Sequence, residues 1–211
     1  MLDHSVLKPE STESDIRAGS DVVRAWRIGY FCVQPYWVKL AAGALADTDA
    51  RIVSVVGFPH GADMATTKAR AAADAVADGA REIDTVLNIG ALKSGAQGEA
   101  AADLAAVVRA VSGIPVKVII EAAALTDEEK RLACRLAVDA GAAFVKTSTG
   151  FHPAGGATVT DVQLMRSLVG PPVGVKASGG IRALADARAM LAAGANRIGT
   201  SASAAILAAI D

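Results

Sequence analysis

Hydrophobic positions along the chain form short β-branched runs, and each run is followed by a longer alanine-rich segment with helical spacing. Such runs are typical of strands that are buried on both faces of a parallel sheet. The pattern predicts eight strands: Leu2–Leu7, Gly29–Val33, Arg51–Val56, Glu82–Val86, Val116–Glu121, Ala143–Thr147, Val173–Ala177 and Arg197–Gly199.

The segments between the strands carry the signals of helix ends. Helices are predicted, for example, at Asp63–Asp78, Thr126–Ala140 and Ala183–Ala193. Thr126 and Glu129 have the spacing of a capping box, in which two side chains satisfy free N–H groups of the first turn. Each helix ends in an Asp-Gly-Ala or Ala-Gly-Ala phrase, where glycine can adopt the left-handed conformation that terminates a helix.

Repeated β-then-α units indicate a parallel sheet with helices outside it, because crossover connections are right-handed. Eight units in 211 residues lie near the compact end of the range for a closed eight-stranded barrel. The rival is an open doubly wound sheet, but no G-x-G-x-x-G follows the first strand. We therefore predict an α/β protein with a single (β/α)₈ TIM barrel, residues 1–211, as one catalytic domain.

Composition and charge narrow the possible partners. Hydrophobic residues make up 52% of the chain, charged residues 20%, and the net charge is -1. Without a basic run, neither nucleic acid nor an anionic membrane surface is an expected partner. The two cysteines and the lack of a signal-peptide pattern after Met1 are typical of a reduced, cytoplasmic protein. No apolar run approaches the roughly 18 residues of a membrane span.

Candidate chemistry lies at the strand ends, since functional groups of such barrels gather at the carboxyl ends of strands. Lys146 and Lys176 lie near the ends of two consecutive strands, and Asp84 occupies a third strand. We expect the two ammonium groups to be neighbours. A buried ammonium is costly unless it is paired or loses its proton.

Two readings of the lysine pair remain open. A nucleophilic lysine needs its pKa lowered from about 10.4 to roughly 7–8, and a second cation in a dry pocket favours that shift. The alternative is that each lysine is a structural ion-pair partner or extends to solvent.

The loops after the seventh and eighth predicted strands are rich in small residues. Ser178-Gly179-Gly180 follows one strand, and Gly199-Thr200-Ser201 follows the other. These two loops form the recurrent phosphate site of eight-stranded barrels, where glycine lets backbone N–H groups approach the phosphate oxygens. A small phosphorylated metabolite is therefore the expected ligand.

Seven segments, in order over nearly the whole chain, resemble the deoxyribose-phosphate aldolase family. They are Asp3-His4-Ser5-Val6-Leu7-Lys8-Pro9, Phe31-Cys32-Val33-Gln34-Pro35, Gly57-Phe58-Pro59-His60-Gly61, Glu82-Ile83-Asp84, Lys117-Val118-Ile119-Ile120-Glu121, Phe144-Val145-Lys146-Thr147-Ser148-Thr149-Gly150-Phe151 and Val175-Lys176-Ala177-Ser178-Gly179-Gly180-Ile181-Arg182. The two lysine-bearing segments are the most specific to the family.

The resemblance implies a class I, metal-free aldolase of deoxyribose phosphate catabolism. It would reversibly cleave 2-deoxy-D-ribose 5-phosphate to D-glyceraldehyde 3-phosphate and acetaldehyde, without a cofactor and as a homo-oligomer, a dimer or tetramer. By the same resemblance, Lys146 forms the Schiff base, and Lys176 perturbs Lys146 and takes part in the proton relay. Asp84 would relay protons through water, and Asp3 would orient Lys176. Cys32 would lie near the bound aldehyde, and the phosphate would contact Gly150, Gly179, Gly180, Thr200 and Ser201.

Other functions fit parts of the pattern. An isomerase or epimerase on the same barrel could use Asp84 as a base without covalent catalysis, and a non-catalytic phosphometabolite binder could keep only the loops. The paired lysines argue against both. His4, His60 and His152 lack the close spacing of metal ligands, so no metal site is expected.

Overall fold

Eight parallel strands close into a barrel in their sequence order in the computed structural model, which describes residues 1–210. The strands are β1 (Leu2–Val6), β2 (Tyr30–Val33), β3 (Arg51–Val56), β4 (Glu82–Val86), β5 (Val116–Ile119), β6 (Phe144–Lys146), β7 (Gly174–Ser178) and β8 (Arg197–Thr200). All eight predicted strands are present, with ends that differ by at most two residues from the predicted ones. The predicted barrel is confirmed. The predicted domain also includes Asp211, which lies outside the described residues.

Nine α-helices lie within residues 1–210. They are α1 (Glu13–Ala25), α2 (Val38–Ala44), α3 (Ala65–Ala77), α4 (Ile89–Lys93), α5 (Gln97–Ala110), α6 (Asp127–Asp139), α7 (Val159–Val169), α8 (Leu184–Ala192) and α9 (Ser203–Ala208). Short 3-10 helices follow β2 at Pro35–Trp37 and β5 at Ala122–Ala124. Among these helices, none combines the length and the apolar character needed to cross a membrane.

The helix ends follow the predicted chemistry. The Thr126 hydroxyl accepts a hydrogen bond from the Glu129 N–H, and the Glu129 carboxylate accepts one from the Thr126 N–H, which completes the capping box of α6. The φ values of Gly79, Gly141 and Gly194 are 118°, 86° and 108°. Each of these helix ends therefore uses a positive-φ conformation that other residues rarely adopt.

The main hydrophobic core lies between the barrel and its helices. Val118, Val145 and Val175 on neighbouring strands are fully buried there, with residues of α5, α6, α7 and α8 around them. Because side chains alternate along a strand, their neighbours in sequence point to the opposite face, into the barrel. That inner face is occupied largely by charged groups.

An arginine fills part of the barrel interior. The Arg197 guanidinium lies 3.6 Å from the ring centroid of Tyr30 and 5.1 Å from that of Phe144. It also donates to Asp3 Oδ1 at 3.0 Å and to Glu82 Oε2 at 3.2 Å. Aromatic faces and carboxylates together satisfy this buried cation, as they must in a site with little water.

Candidate active site

Asp84 is the centre of the polar interior. Its carboxylate is fully buried and accepts from Lys117 Nζ on Oδ1 and from the Nζ atoms of both Lys146 and Lys176 on Oδ2, each at 2.8 Å. Lys146 and Lys176 are direct partners in the register of β6 and β7. They therefore stand at the same height in the barrel. The expected neighbourhood of the two lysines with Asp84 is confirmed.

A second set of charged side chains extends this network below Asp84. Lys176 Nζ donates to Asp3 Oδ2 at 2.5 Å, and Lys117 Nζ forms an ion pair with Glu82 Oε2 at 2.5 Å. Arg197 joins Asp3 to Glu82. We call these seven side chains the barrel cluster: Asp3, Glu82, Asp84, Lys117, Lys146, Lys176 and Arg197.

Burial and neighbouring charges set the ionisation of the cluster. Burial alone would raise the pKa of Asp84, but Lys117, Lys146 and Lys176 hold that pKa well below its ordinary value. The pKa of Asp3 is lowered in the same way, against its burial, chiefly by Lys176. Burial opposes the charge of Lys176, yet Asp3 and Asp84 raise its pKa above the ordinary value. At neutral pH both carboxylates are ionised and Lys176 is a cation.

The three lysines of the cluster differ in how well their charge is compensated. Lys176 contacts the carboxylates of Asp3 and Asp84, and Lys117 contacts those of Glu82 and Asp84. Lys146 has one carboxylate contact, to an Asp84 oxygen that it shares with Lys176. Four basic and three acidic side chains make up the cluster, so full ionisation leaves one positive charge in excess.

A cavity of about 670 Å³ opens above the cluster at the carboxyl end of the barrel. Nine of the ten predicted site residues line it: Asp3, Cys32, Lys146, Gly150, Lys176, Gly179, Gly180, Thr200 and Ser201. The tenth, Asp84, lies beneath them and bonds directly to both lysines. The structure thus brings all predicted site residues together around one cavity.

The loops after β6 and β7 are joined to each other at the cavity wall. Thr147 Oγ1 donates to the Ser178 carbonyl at 3.1 Å and accepts from the Ser178 N–H at 3.0 Å, while Ser178 Oγ donates to the Ser148 carbonyl at 2.6 Å. Gly150 and Gly179 have positive φ values, and a Cβ on Gly179 would lie 3.2 Å from the Gly150 Cα. Glycine is required where two backbones approach this closely.

Cys32 lies on β2 in the cavity wall, close to the barrel cluster. Its side chain is buried, and burial together with the negative charge of Asp84 raises the pKa of the thiol to about 11. Cys32 is therefore a neutral thiol at physiological pH and a weak nucleophile.

The three histidines differ in their surroundings. His4 is buried against Phe31, its Nδ1 is 3.1 Å from Ser203 Oγ, and burial lowers its pKa to about 4. His60 and His152 lie on exposed loops. Within residues 1–210, no group of three or more His, Cys, Asp or Glu side chains is arranged to hold a metal ion.

Sequence reasoning assigned no role to several residues around the site. Glu82, Lys117 and Arg197 are charged residues inside otherwise apolar strands, but they lie at or near the amino ends of β4, β5 and β8, so the carboxyl-end criterion that selected Lys146 did not select them. Arg182 lines the cavity directly after the predicted phosphate loop. Glu121 and Thr149 form a further buried contact, which has no signal in the sequence pattern because it depends on an unusual backbone conformation.

Known proteins resemble this chain over almost its full length. The DeoC/LacD family of aldolases matches residues 1–209. The chain is 53% identical to deoxyribose-phosphate aldolase 1 of Bacillus licheniformis and 51% identical to the deoxyribose-phosphate aldolase of Enterococcus faecalis, covering 98% of this chain and 93% and 94% of theirs. The crystal structure of the Aeropyrum pernix deoxyribose phosphate aldolase, described as a unique tetramer, superposes with a TM-score of 0.91 at 32% identity, covering 98% of this chain and 88% of that one.

Proposed function

Because this chain belongs to the DeoC/LacD family of aldolases, we propose that Lys146 is the amine through which it performs the family's chemistry. The chain catalyses the deoxyribose-phosphate aldolase reaction, the reversible cleavage of 2-deoxy-D-ribose 5-phosphate to D-glyceraldehyde 3-phosphate and acetaldehyde. The roles of individual residues, set out below, belong to the proposal.

The observation that carries the assignment of Lys146 is its single, shared carboxylate contact. Lys117 and Lys176 each have two carboxylate partners, which stabilise their charge, whereas Lys146 shares one oxygen of Asp84 with Lys176. Lys146 is therefore the lysine of the cluster with the fewest carboxylate contacts. Lys146 also borders the cavity, where a carbonyl carbon can reach it.

In the proposed reaction, the neutral Lys146 amine adds to the C1 aldehyde of the open-chain sugar. Loss of water from the resulting carbinolamine gives a protonated imine, which is an electron sink. When the C3 hydroxyl loses its proton, the C2–C3 bond breaks and its electron pair forms an enamine on Lys146. D-Glyceraldehyde 3-phosphate leaves, the enamine carbon takes a proton, and hydrolysis releases acetaldehyde and restores the amine.

Asp84 and Lys176 are proposed to move the protons of this sequence. The Asp84 carboxylate accepts a hydrogen bond from Lys176 and another from Lys146. A proton can therefore pass among the three groups over single hydrogen bonds. Asp3 holds the Lys176 ammonium from the opposite side. We assign Asp3 the role of keeping Lys176 protonated and oriented.

The phosphate is proposed to bind at the β6, β7 and β8 loops. Gly150, Gly179 and Gly180 have positive φ values, and Thr200 and Ser201 border the same part of the cavity. These features support a phosphate bound by backbone N–H groups and hydroxyls. We propose that Cys32, which also lines the cavity, lies near the aldehyde. Imine formation supplies the electron sink, so the proposed mechanism uses no metal or cofactor.

We further propose that residues 1–211 form one catalytic domain, which acts in the cytoplasm as a homo-oligomer, a dimer or tetramer. The two cysteines are free and buried, as is typical of proteins from reducing compartments. Exposed aromatic side chains at Trp26 and Tyr36 support a contact between copies. Light scattering after size-exclusion chromatography measures that assembly.

A coupled assay for triose phosphate release tests the proposal. We expect the wild type to release D-glyceraldehyde 3-phosphate, and Lys146→Ala to lose about 10⁴-fold or more in kcat while its circular dichroism spectrum stays unchanged. Lys93→Ala, which removes an exposed lysine of α4, is the matched control and is expected to keep full activity. Turnover that survives in Lys146→Ala would reject Lys146 as the nucleophile.

A further inference from the structure

Glu121 has a backbone conformation that is unusual for its residue type. It lies two residues after the end of β5, and its φ and ψ of 54° and 59° place it in the left-handed region. Residues with a Cβ rarely adopt this region, and such outliers cluster at functional sites. The side chain is 1% exposed, so this strained residue is also buried.

The Glu121 carboxylate has one partner residue. It accepts from the Thr149 N–H at 3.2 Å on Oε1 and 3.3 Å on Oε2, and from the Thr149 hydroxyl at 2.5 Å. Across residues 1–210 it takes part in no ion pair. Burying a carboxylate without a cation is unfavourable unless hydrogen bonds compensate it. Thr149 supplies those bonds, so the two residues depend on each other.

The hydrogen bonds between Glu121 and Thr149 also fix part of the cavity wall. Its Oγ1 accepts from the Phe151 N–H at 3.1 Å, which closes a tight turn around Gly150. Gly150 in turn packs on Gly179, and Thr149, Gly150 and Phe151 all line the cavity. Glu121, in the loop after β5, therefore sets the position of the turn 149–151.

Lys146 does not depend on this contact. Its backbone is held in the β6 ladder between β5 and β7, and its amine is held by Asp84. Loss of the Glu121–Thr149 contact would move the turn 149–151 and leave the amine where it is. The Lys146 amine and the turn 149–151 are therefore held in place by different groups.

We propose that Glu121 is a positioning residue, which fixes the turn 149–151 so that the cavity discriminates phosphorylated from free deoxysugars. This inference rests on the proposed function, in particular on the assignment of Gly150 to the phosphate. Glu121 acts through Thr149 and does not touch the substrate.

Two substitutions remove the contact from opposite sides. Glu121→Gln keeps the size of the side chain but turns one acceptor into a donor that faces the Thr149 donors, and Thr149→Val keeps the shape but removes the hydroxyl. We expect KM for 2-deoxyribose 5-phosphate to rise about 10-fold in each, since a hydrogen bond to a buried charge is lost. We expect KM for free 2-deoxyribose to stay unchanged, and Thr149→Ser to restore the wild-type ratio.

A second measurement separates this inference from the proposed function. Wild type and both variants are incubated with acetaldehyde and borohydride, and the rate of covalent labelling is followed by mass spectrometry. Equal labelling with a raised KM for the phosphorylated sugar supports the inference. A KM that rises equally for both sugars, or for neither, in the folded Thr149→Val variant overturns it. Absence of labelling in the wild type instead rejects the Schiff base.

Discussion

Two buried lysines, Lys146 inside the barrel and Lys68 on α3 outside it, show what distinguishes a reactive amine from a structural one. Lys68 is fully buried, and its Nζ donates to the Val86 carbonyl at 2.9 Å and to Asp103 Oδ2 at 2.7 Å. Lys146 is 3% exposed and shares a single carboxylate oxygen with another lysine. Only Lys146 borders the cavity.

The comparison separates burial from function. Lys68 has a carboxylate and a carbonyl of its own, so its charge stabilises the packing of α3 against α5. Lys146 lies in a cluster with more cations than anions, and the cavity gives a substrate access to it. Under-compensated charge beside a cavity, and not burial alone, indicates chemistry.

The largest expected effect is on the free energy of unfolding and comes from Lys68, the structural lysine of the comparison. Lys68→Met leaves Asp103 buried without its cation and is expected to lower the free energy of unfolding by about 3–5 kcal/mol, with kcat unchanged in the folded fraction. Urea unfolding and the aldolase assay measure the two quantities. The double variant Lys68→Met/Asp103→Leu is expected to recover most of the loss. If the double variant is as unstable as the single one, the ion pair is not the cause.

His4 sharpens the comparison, because within residues 1–210 it is a buried base with no carboxylate partner. Its pKa of about 4 lies below the ordinary 6.5, so the unfolded chain binds a proton that the folded chain does not. Stability is then lost as the pH falls from 6.5 to 4, by roughly 3 kcal/mol in total. His4→Asn is expected to remove that part of the pH dependence in urea unfolding. Parallel curves for the two proteins would show that His4 is not responsible.

Asp3→Asn tests the charge of Lys176. Burial opposes the Lys176 cation while Asp3 and Asp84 raise its pKa, so removing the Asp3 carboxylate lowers that pKa. We expect the alkaline limb of the kcat/KM profile to move to lower pH, with about a 10-fold loss on the alkaline side. Glu82→Gln is the matched control, since Glu82 contacts Lys117 and Arg197. A limb that moves equally in both variants would contradict the role of Asp3.

The smallest expected effect is a gain in stability. Lys146→Met replaces a buried polar amine that has no carboxylate of its own with an apolar side chain, so we expect the free energy of unfolding to rise by about 1 kcal/mol while turnover is lost. Thermal unfolding of wild type and variant measures it. A loss of stability as large as that of Lys68→Met would mean that Lys146 is a structural partner.

The fold could be predicted well because its signals are local. The β-branched runs gave all eight strands, and the Thr126 capping box and the glycine after each helix gave the helix ends. The pairing of Lys146 with Lys176 followed from the parallel order of consecutive strands.

The electrostatics of the site could not be predicted in the same way. The sequence expectation included Lys146, Lys176, Asp84 and, by resemblance, Asp3. In the structure Glu82 joins the cluster from the strand of Asp84, and Lys117 and Arg197 join it from the strands beside Asp84 and Lys176. The contact between Glu121 and Thr149 depends on a left-handed residue, and a glutamate carries no signal for that conformation. The first feature depends on the reach of side chains across the barrel, and the second on one backbone conformation.

The most direct test of the central claim locates the imine. Wild-type enzyme is treated with acetaldehyde and borohydride, digested and mapped by mass spectrometry, with Lys68 as the internal buried control. We expect one N-ethyl group, on Lys146 alone. An adduct on Lys176 or Lys117, or unmodified Lys146 in an enzyme that still turns over, would contradict the account.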